Sequence, residues 1–335
     1  MFRAIAREFG PAKGVISVEP YEPLSPGSGQ VRIRMLVSSI NPSDLVTISG
    51  AYRARTSLPF IPGFEGVGVI ESVGASVSKL LPGQRVLPLG SAGAWQTVKI
   101  TDERWCFPVP DDLTDEQAAM AYINPMTACM MVREYAPSSP FSPGTPVAVN
   151  AATSAIGRMI IRLLKHAGVH PIIALVRRPN MEGELMAQLG VDAVLCTSSD
   201  EGRLRDRLLE VTGGRGLAVA WDAVGGPQGD ELVRALQPGG TLVHYGLLSG
   251  TPLSWSLREE CLGARIALFR LRDWIHSAER GAVQQALEEC FQLIREGVAA
   301  SNVAAVFPLS DIRQALESVD TPGREGKVLL SLRDP

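Results

Sequence analysis

The pattern of hydrophobic and polar positions divides the chain into two regions. From residue 1 to about 120 the apolar runs are short and separated by Gly and Pro, as in VRIRMLVSSI at 31–40 and GVGVIESVG at 66–74. Short runs of this kind, bounded by turn residues, are typical of β-strands. The first part of the chain is therefore predicted to form an all-β or β-barrel-like domain.

The pattern changes at about residue 115, where helical pieces appear and strands then alternate with helices. PVAVNAA (146–152) and HPIIALVR (170–177) are apolar strand-like runs, and the amphipathic run IGRMIIRLLKHAG (156–168) separates them. A parallel sheet with helical crossovers requires this alternation. We predict a doubly wound nucleotide-binding sheet whose final apolar strand is TLVHYGLL at 241–248.

After about residue 265 the chain contains enough material to return to the first domain. A helix is predicted in AVQQALEECFQLIREG, and strands are predicted in VAAVFPLS (303–310) and KVLLSLR (327–333). The predicted domains are a β-rich domain of residues 1–122 and 268–335 and a dinucleotide-binding domain of residues 123–267.

Composition narrows the class of protein. The 335 residues are 45% hydrophobic and 20% charged, which is ordinary for a globular chain and excludes global disorder. The net charge of -3 lacks the basic surplus of a nucleic-acid binder. The five cysteines lie far apart, and no stretch of about 20 apolar residues could span a bilayer. We expect reduced thiols, a cytoplasmic location, and neither a membrane nor a nucleic acid as partner.

The strongest local signal lies where a predicted strand runs into a loop of small residues and then into a helix. Ala151, Ser154 and Gly157 occupy the spaced small positions of this loop. A pyrophosphate needs backbone close by and N–H groups at a helix start, and large side chains would displace it. The alternative is a generic strand-to-helix turn whose small residues serve packing.

A second signal concerns the adenosine ribose, which meets a residue about 20 positions beyond such a loop. Twenty residues beyond Gly157 is Arg177, followed by Arg178. An acidic residue would accept hydrogen bonds from both ribose hydroxyls of NAD, whereas guanidinium donors suit a 2′-phosphate. The cofactor is therefore predicted to be NADPH, with a solvated Arg pair as the alternative.

Several blocks together resemble a known family. They are SSINPSDLVTISGAY (38–52), PGFEGVGVIESVG (62–74), GAWQTVKI (93–100), INPMTA (123–128), NAATSAIG (150–157) and DAVGG (222–226). With these blocks the chain resembles the zinc-free branch of the medium-chain dehydrogenase/reductases, above all the mitochondrial-type 2-enoyl thioester reductases. Quinone reductases share several of the blocks. The resemblance implies an α/β fold, with a GroES-like β-rich catalytic domain and a Rossmann domain.

The resemblance also implies site residues. Tyr52 matches a family Tyr near the substrate α-carbon or thioester oxygen, and Asn41 and Trp95 match cleft residues. For all three residues packing is the alternative, and it is stronger for Trp95 than for Asn41. Glu65 is expected to be a buried polar anchor. The implied cofactor contacts are Asn150, Thr153, Ser154, Ala155, Ile156, Arg177, Arg178, Tyr245, Gly246, Phe269 and Lys327, the last with a solvated surface lysine as its alternative.

No metal is expected. Zinc-dependent relatives carry a Cys where this chain has the segment Asn41 to Asp44, and a His where it has Phe64. Without a Lewis acid, alcohol oxidation loses its means of stabilising an alkoxide, whereas reduction of a polarised double bond stays feasible.

The predicted function is NADPH-dependent reduction of the activated C=C bond of a 2-enoyl thioester, with hydride added at the β-carbon and a proton at the α-carbon. One alternative is an NADPH quinone or small enone reductase on the same scaffold. A second is a non-catalytic NADPH-binding protein, since such folds can host sites without chemistry. The family resemblance implies a homodimer.

Overall fold

The computed structural model of the chain describes residues 1–136, 144–198 and 203–333. Two compact units divide it: Met1–Met126 with Arg272–Pro335, and Thr127–Leu271. Each boundary lies four residues beyond the one expected from the sequence, so that the first falls inside the helix Ile123–Tyr135 and the second falls after the first residue of the helix Leu271–Ser277. Within the described ranges, no helix combines the length and apolar character that a membrane crossing requires.

Fifteen strands are present in the described residues. In chain order they are β1 (Phe2–Ala6), β2 (Ile16–Pro20), β3 (Gln30–Ser39), β4 (Gly66–Val73), β5 (Arg85–Pro88), β6 (Val98–Asp102), β7 (Cys106–Pro108), β8 (Val147–Val149), β9 (Ile172–Val176), β10 (Ala193–Cys196), β11 (Leu217–Asp222), β12 (Leu236–His244), β13 (Arg265–Leu268), β14 (Val303–Pro308) and β15 (Lys327–Ser331).

Twelve α-helices accompany the strands in the same residues. They are α1 (Ala12–Val15), α2 (Pro42–Ile48), α3 (Asp115–Ala119), α4 (Ile123–Tyr135), α5 (Ala155–His166), α6 (Glu182–Leu189), α7 (Leu204–Val211), α8 (Gly226–Arg234), α9 (Leu257–Glu260), α10 (Leu271–Ser277), α11 (Arg280–Arg295) and α12 (Ile312–Val319).

The first unit is built on a seven-stranded sheet. Its strands lie in the order β14-β15-β3-β4-β5-β7, β6 pairs with β3, and β1 and β2 form a separate antiparallel pair. The last strand, β15, pairs with β3 in antiparallel fashion and with β14 in parallel. The prediction that the carboxyl-terminal segment returns to the β-rich domain is therefore confirmed.

The second unit holds a six-stranded parallel sheet in the order β10-β9-β8-β11-β12-β13. Numbered from β8, this order is 3-2-1-4-5-6, the arrangement of doubly wound dinucleotide-binding sheets. Helices alternate with the strands, and β9 and β11 are buried along their whole length, as strands covered on both faces must be. The predicted α/β fold class is confirmed.

The prediction that TLVHYGLL is the final strand of this sheet is wrong. Its residues 241–244 belong to β12, and β13 adds one further strand at the edge, with Leu242 paired to Ile266. Only four residues long and mostly exposed, β13 has an apolar run of three residues, which is shorter than the runs of four to eight by which a buried strand is recognised in sequence.

Gly157 permits the close approach of α5 to the loop that precedes it. A Cβ at this position would lie 2.4 Å from the carbonyl oxygen of Ala151 and 3.0 Å from Oγ of Ser154. Real Cβ atoms do not approach a backbone oxygen so closely, so residue 157 must lack a side chain for the helix to start where it does.

We expect Gly157→Ala to destabilise the second unit by about 1 to 3 kcal/mol, because overpacking against backbone forces a shift of the loop. Gly183→Ala is the matched control, since Gly183 also lies in the first turn of a helix but its Cβ would meet nothing within 4 Å. In the control the free energy of unfolding should rise by up to about 1 kcal/mol, because Ala has a higher helix propensity than Gly. Urea unfolding followed by circular dichroism measures both, and equal effects would contradict the steric argument.

Candidate active site

A buried ion pair links four segments of the first unit. Nζ of Lys327, the first residue of β15, lies 2.9 Å from Oε1 of Glu65, and both side chains are almost fully buried. Oε2 of Glu65 accepts a hydrogen bond of 2.7 Å from the backbone N–H of Ile123, where α4 begins. The hydroxyl of Ser39 donates to Oε1 as well. Glu65 is thus a buried polar anchor that holds strand ends and a helix start together.

Two carboxylates in this cluster have opposite shifts of pKa. Burial disfavours the charge of Glu65, but the Lys327 ammonium and the hydrogen bonds that the carboxylate accepts outweigh burial and hold its pKa below the usual value. For Asp44 burial dominates and raises the pKa to about 7, although Asp44 accepts hydrogen bonds from the backbone N–H groups of Asn41 and Phe64. Lys327 neutralises Glu65 directly, whereas Asp44 has no cation in hydrogen-bond contact among the described residues.

Asn41 is bound into the same cluster by every polar atom of its side chain. Its amide nitrogen donates to Oγ of Ser39 and to Oε1 of Glu65, both at 2.9 Å, and its oxygen accepts from Nζ of Lys327. Both amide hydrogens are therefore engaged within the protein. The geometry favours a positioning role for Asn41, and its assignment as a catalytic residue stays a prediction.

Trp95 lies in the hydrophobic core of the first unit. Its side chain is 0% exposed, and its indole N–H donates to the backbone oxygen of Ser39 over 3.3 Å. Large aromatic side chains contribute most by buried area, and a buried indole N–H needs an acceptor. The core meets the first requirement and the Ser39 oxygen meets the second, so Trp95 is favoured as a structural residue. Direct contact of Trp95 with a substrate stays a prediction.

Tyr52 is placed quite differently, at the surface of the loop that follows α2. Its side chain is 37% exposed and precedes the 3-10 turn Arg53–Arg55. The guanidinium of Arg55 lies 3.9 Å from the centroid of its ring, a cation–π contact that restricts the ring's orientation. The phenol is accessible, as a group that reacts with substrate must be, and its catalytic assignment stays a prediction.

The first unit also contains a pocket of about 400 Å³ that includes none of the predicted site residues. Lys99, one of its lining residues, is buried and donates to the backbone oxygens of Ser91 and Ala92, and burial lowers its pKa to about 8. Because the ammonium holds the turn at 91–92, its burial has a structural reason.

In the second unit, the predicted pyrophosphate loop connects β8 to α5. Ser154 is the N-cap of α5, and its hydroxyl accepts a 3.0 Å hydrogen bond from the N–H of Gly157. Ala151 has φ of 46°, a left-handed conformation that non-glycine residues rarely adopt outside functional loops. Thr153, Ala155 and Ile156 complete the turn. First-turn N–H groups lack partners within a helix, and the small residues leave them open to an anion.

Arg177 and Arg178 follow directly after β9, as the spacing predicts for an adenosine site. Both are exposed, and no described residue forms a hydrogen bond or ion pair with either guanidinium. The backbone oxygen of Arg177 accepts a 2.6 Å hydrogen bond from the hydroxyl of Ser198. The described residues therefore leave the donors of both guanidinium groups available for a ligand phosphate.

Asp222 connects the carboxyl ends of three neighbouring strands of the second unit. Its side chain is fully buried at the end of β11, and it accepts hydrogen bonds from Nδ2 of Asn150 at 2.6 Å and from the N–H of Gly225. Nδ1 of His244, at the end of β12, lies 2.7 Å from Oδ2. Burial opposes ionisation of Asp222, but these hydrogen bonds outweigh it and lower the pKa.

Asn150 contributes to this arrangement rather than offering a free amide. Its nitrogen donates to Asp222, and its oxygen accepts from the N–H of Ala223 at 2.8 Å. Its role in positioning the strand ends is clear from these bonds. Direct contact with a cofactor stays a prediction.

The remaining predicted contacts lie beside Asp222. The N–H of Tyr245 donates to the backbone oxygen of Asp222, and the buried Tyr245 hydroxyl has no hydrogen-bond partner among the described residues. A Cβ on Gly246 would lie 2.7 Å from the oxygen of Ala223. Phe269 is nearly buried and donates its N–H to the oxygen of His244. An orphaned hydroxyl and a position with no room for a side chain fit a site for a dinucleotide.

Sequence reasoning missed three side chains that these clusters require. In the sequence Asp222 stands out only as part of the DAVGG block, and Asp44 only as part of the segment that replaces a metal ligand. His244 has no Cys or acidic partner at ligand spacing, so no sequence motif marks it. The position of each at a strand end or helix start was a usable signal, since ligands of parallel sheets bind at the carboxyl ends of strands.

Family models match two parts of the chain. The alcohol dehydrogenase GroES-like domain matches residues 27–111, and the zinc-binding dehydrogenase family matches residues 189–330. Despite the second description, no group of three or more His, Cys, Asp or Glu side chains within the described ranges could hold a metal ion.

Among curated proteins, the chain is similar to the mitochondrial enoyl-[acyl-carrier-protein] reductase of Rattus norvegicus, with 31% identity over 96% of this chain and 86% of that protein. Among solved structures, it is similar to a candidate NADPH:quinone reductase from Bacillus thuringiensis, with a TM-score of 0.89, 35% identity and 98% coverage of both chains. The Escherichia coli quinone oxidoreductase complexed with NADPH has a TM-score of 0.87 and 25% identity, covering 99% of this chain and 100% of that one.

We expect Lys327→Met to destabilise the first unit by about 3 to 5 kcal/mol, because it leaves the Glu65 carboxylate buried without its cation. Adding Glu65→Gln should restore much of the loss. Lys13→Met, which removes only an exposed ion pair with Asp320, is the control and should change little.

The pH dependence of this variant checks the cause. In the wild type the lowered pKa of Glu65 means that its contribution is present above its usual pKa and is lost as pH falls. Without Lys327, burial raises that pKa, so acidification should shrink the deficit of Lys327→Met in urea unfolding. A deficit that is constant with pH would mean that packing, not charge, is lost.

Proposed function

The chain belongs to the medium-chain dehydrogenase/reductase superfamily, and from that membership we propose that it is an NADPH-dependent oxidoreductase that reduces the activated C=C bond of a 2-enoyl thioester. The observation that carries the proposal is its 31% identity with an enoyl-[acyl-carrier-protein] reductase across 96% of the chain. The similarity spans both units, so it includes the loop with Tyr52 and the loop with Ser154.

The second unit supplies a site whose features fit NADPH. The start of α5 offers N–H groups for the pyrophosphate, and Arg177 and Arg178 offer guanidinium donors for the 2′-phosphate. The solved quinone oxidoreductase with NADPH bound, to which this chain is similar, supports the same cofactor. When bound, NADPH supplies the hydride for the β-carbon of the substrate.

Tyr52 is the chain's own group with the chemistry for the other half of the reaction. Hydride arrival at the β-carbon builds negative charge on the thioester oxygen, and the α-carbon must then gain a proton. An exposed phenol can donate a hydrogen bond to that oxygen or provide the proton. Arg55, in contact with the ring, adds a positive charge beside the loop. In this mechanism Glu65, Lys327 and Asn41 keep the start of α2 in place.

The second candidate function is reduction of a quinone. It is favoured by the 35% identity with the Bacillus thuringiensis protein, a higher value over a comparable length. A quinone needs less help from a proton donor, because its two-electron reduction product is a stabilised anion. A non-catalytic NADPH-binding protein is the third outcome, in which neither substrate is turned over.

We also propose a homodimer in the cytoplasm, as the resemblance and the composition predict. The exposed edge strand β13 supports the dimer, because Ile266 and Leu268 on it and Leu262 just before it are exposed apolar side chains. An uncovered edge of this kind pairs readily with another strand.

Arg177→Ala combined with Arg178→Ala should weaken NADPH binding about 10- to 100-fold, since the loss of a charge-assisted hydrogen bond to the 2′-phosphate costs about 1.5 to 3 kcal/mol. Binding of NADH, which lacks the 2′-phosphate, should hardly change. Arg313→Ala, at an exposed site in α12, is the control. Cofactor fluorescence titration gives the dissociation constants, and a wild type that binds NADH as tightly as NADPH would refute the assignment.

Tyr52→Phe keeps the ring but removes the hydroxyl. We expect kcat with crotonyl-CoA to fall by about 10² to 10⁴, the usual value of general acid help, with NADPH affinity unchanged. Reduction of a quinone should fall less. Steady-state kinetics with crotonyl-CoA, a quinone, and NADPH alone measure this and also separate the three candidate functions.

Tyr135→Phe, which removes a hydroxyl from the end of α4, is the matched control and should leave both rates unchanged. If Tyr52→Phe reduces crotonyl-CoA at the wild-type rate, solvent or another group supplies the proton. If the wild type reduces quinones but not crotonyl-CoA, the quinone reductase candidate replaces the enoyl reductase.

A further inference from the structure

His244 and Asp222 form a dyad at the ends of two neighbouring parallel strands. Nδ1 of His244 lies 2.7 Å from Oδ2 of Asp222, whose side chain is fully buried, while the His244 side chain is 15% exposed. Asp222 is itself fixed by Asn150 and by the N–H groups of Val224 and Gly225. The imidazole is thus held by a carboxylate that cannot move without breaking its hydrogen bonds with three other donors.

The dyad determines which nitrogen of the ring is free to act. Asp222 is ionised, because the hydrogen bonds it accepts overcome burial and lower its pKa, so its oxygens can only accept. Nδ1 of His244 must therefore carry a hydrogen and donate. In the neutral ring Nε2 is then an acceptor, and within the described residues it has no hydrogen-bond partner.

The sheet topology places this acceptor on one particular side of the dinucleotide site. The strand order reverses between β8 and β11, and dinucleotides bind across such a switch point. Arg177 and Arg178, at the end of β9, lie on one side of it, where the adenosine half binds. His244, at the end of β12, lies on the other side. The buried, unpartnered hydroxyl of Tyr245 is next to it in sequence.

We propose that His244, oriented by Asp222, binds the nicotinamide half of the cofactor, with Nε2 accepting a hydrogen bond from a ribose hydroxyl or from the carboxamide. This inference depends on the proposed NADPH dependence but not on the substrate. It assigns binding of the two halves of NADPH to separate residues: Arg177 and Arg178 distinguish NADPH from NADH, and His244 serves both equally.

Two substitutions separate cofactor binding from support of the fold. In His244→Asn the short amide can replace Nδ1–H as the donor to Asp222 but cannot reach the position of Nε2. In His244→Gln the longer amide can reach the position of Nε2 instead. We expect His244→Asn to weaken NADPH and NADH by the same factor, about 3- to 10-fold for one hydrogen bond, and His244→Gln to retain more affinity.

The probes are NADPH, NADH and 2′,5′-ADP, titrated by fluorescence or calorimetry without substrate, with the exposed His166→Asn as the control variant. Because 2′,5′-ADP contains only the adenosine half, its affinity should be unchanged in His244→Asn. Wild-type NADPH affinity in His244→Asn, an equal loss for 2′,5′-ADP, or weaker binding by His244→Gln than by His244→Asn would each overturn the inference. A wild type that binds no NADPH would instead refute the cofactor assignment itself.

Discussion

A buried carboxylate is stable only when hydrogen-bond donors or a cation compensate its charge. In the first unit this requirement determines which segments are fixed against one another. Glu65 lies at the start of β4 with almost no contact with solvent, and Lys327 from the far end of the chain provides the compensating charge. Removing either charge alone is costly, because the other is left buried without a partner. The pair therefore fixes the carboxyl-terminal strand against the segment that carries Asn41, and that segment leads through α2 to Tyr52.

The second unit uses the same device with a different set of partners. Within the described residues no lysine pairs with Asp222, and its charge is instead stabilised by hydrogen bonds from an amide, an imidazole and two backbone N–H groups. The strands whose ends it joins, β8, β11 and β12, are those next to the topological switch point. In both units a buried acid keeps loop ends in one arrangement, so that little conformational entropy is lost when neighbouring groups bind a ligand.

Superfamily membership and substrate choice rest on different parts of the molecule. The sheet order and the small-residue loop before α5 account for the binding of a dinucleotide, and neither distinguishes a thioester substrate from a quinone. The groups that could distinguish the two, above all Tyr52 and the arginines that follow it, are on an exposed loop where packing imposes little. One fold can carry different functional sites, so the side chains of this loop must determine the choice of substrate.

The sequence by itself determined the two-unit organisation, the parallel sheet, the β-rich unit with its carboxyl-terminal return, and the glycine in the first turn of α5, because periodicity and steric limits act over a few neighbouring residues. Tertiary structure alone decided that Lys327 is buried against Glu65 and Asn41, that the indole of Trp95 lies in the core, that β13 extends the sheet, and that His244 meets Asp222. Lys327 and Glu65 are 262 residues apart along the chain. No local pattern records such a contact, since the free energy of burying a charge depends on which distant side chain the fold brings to it.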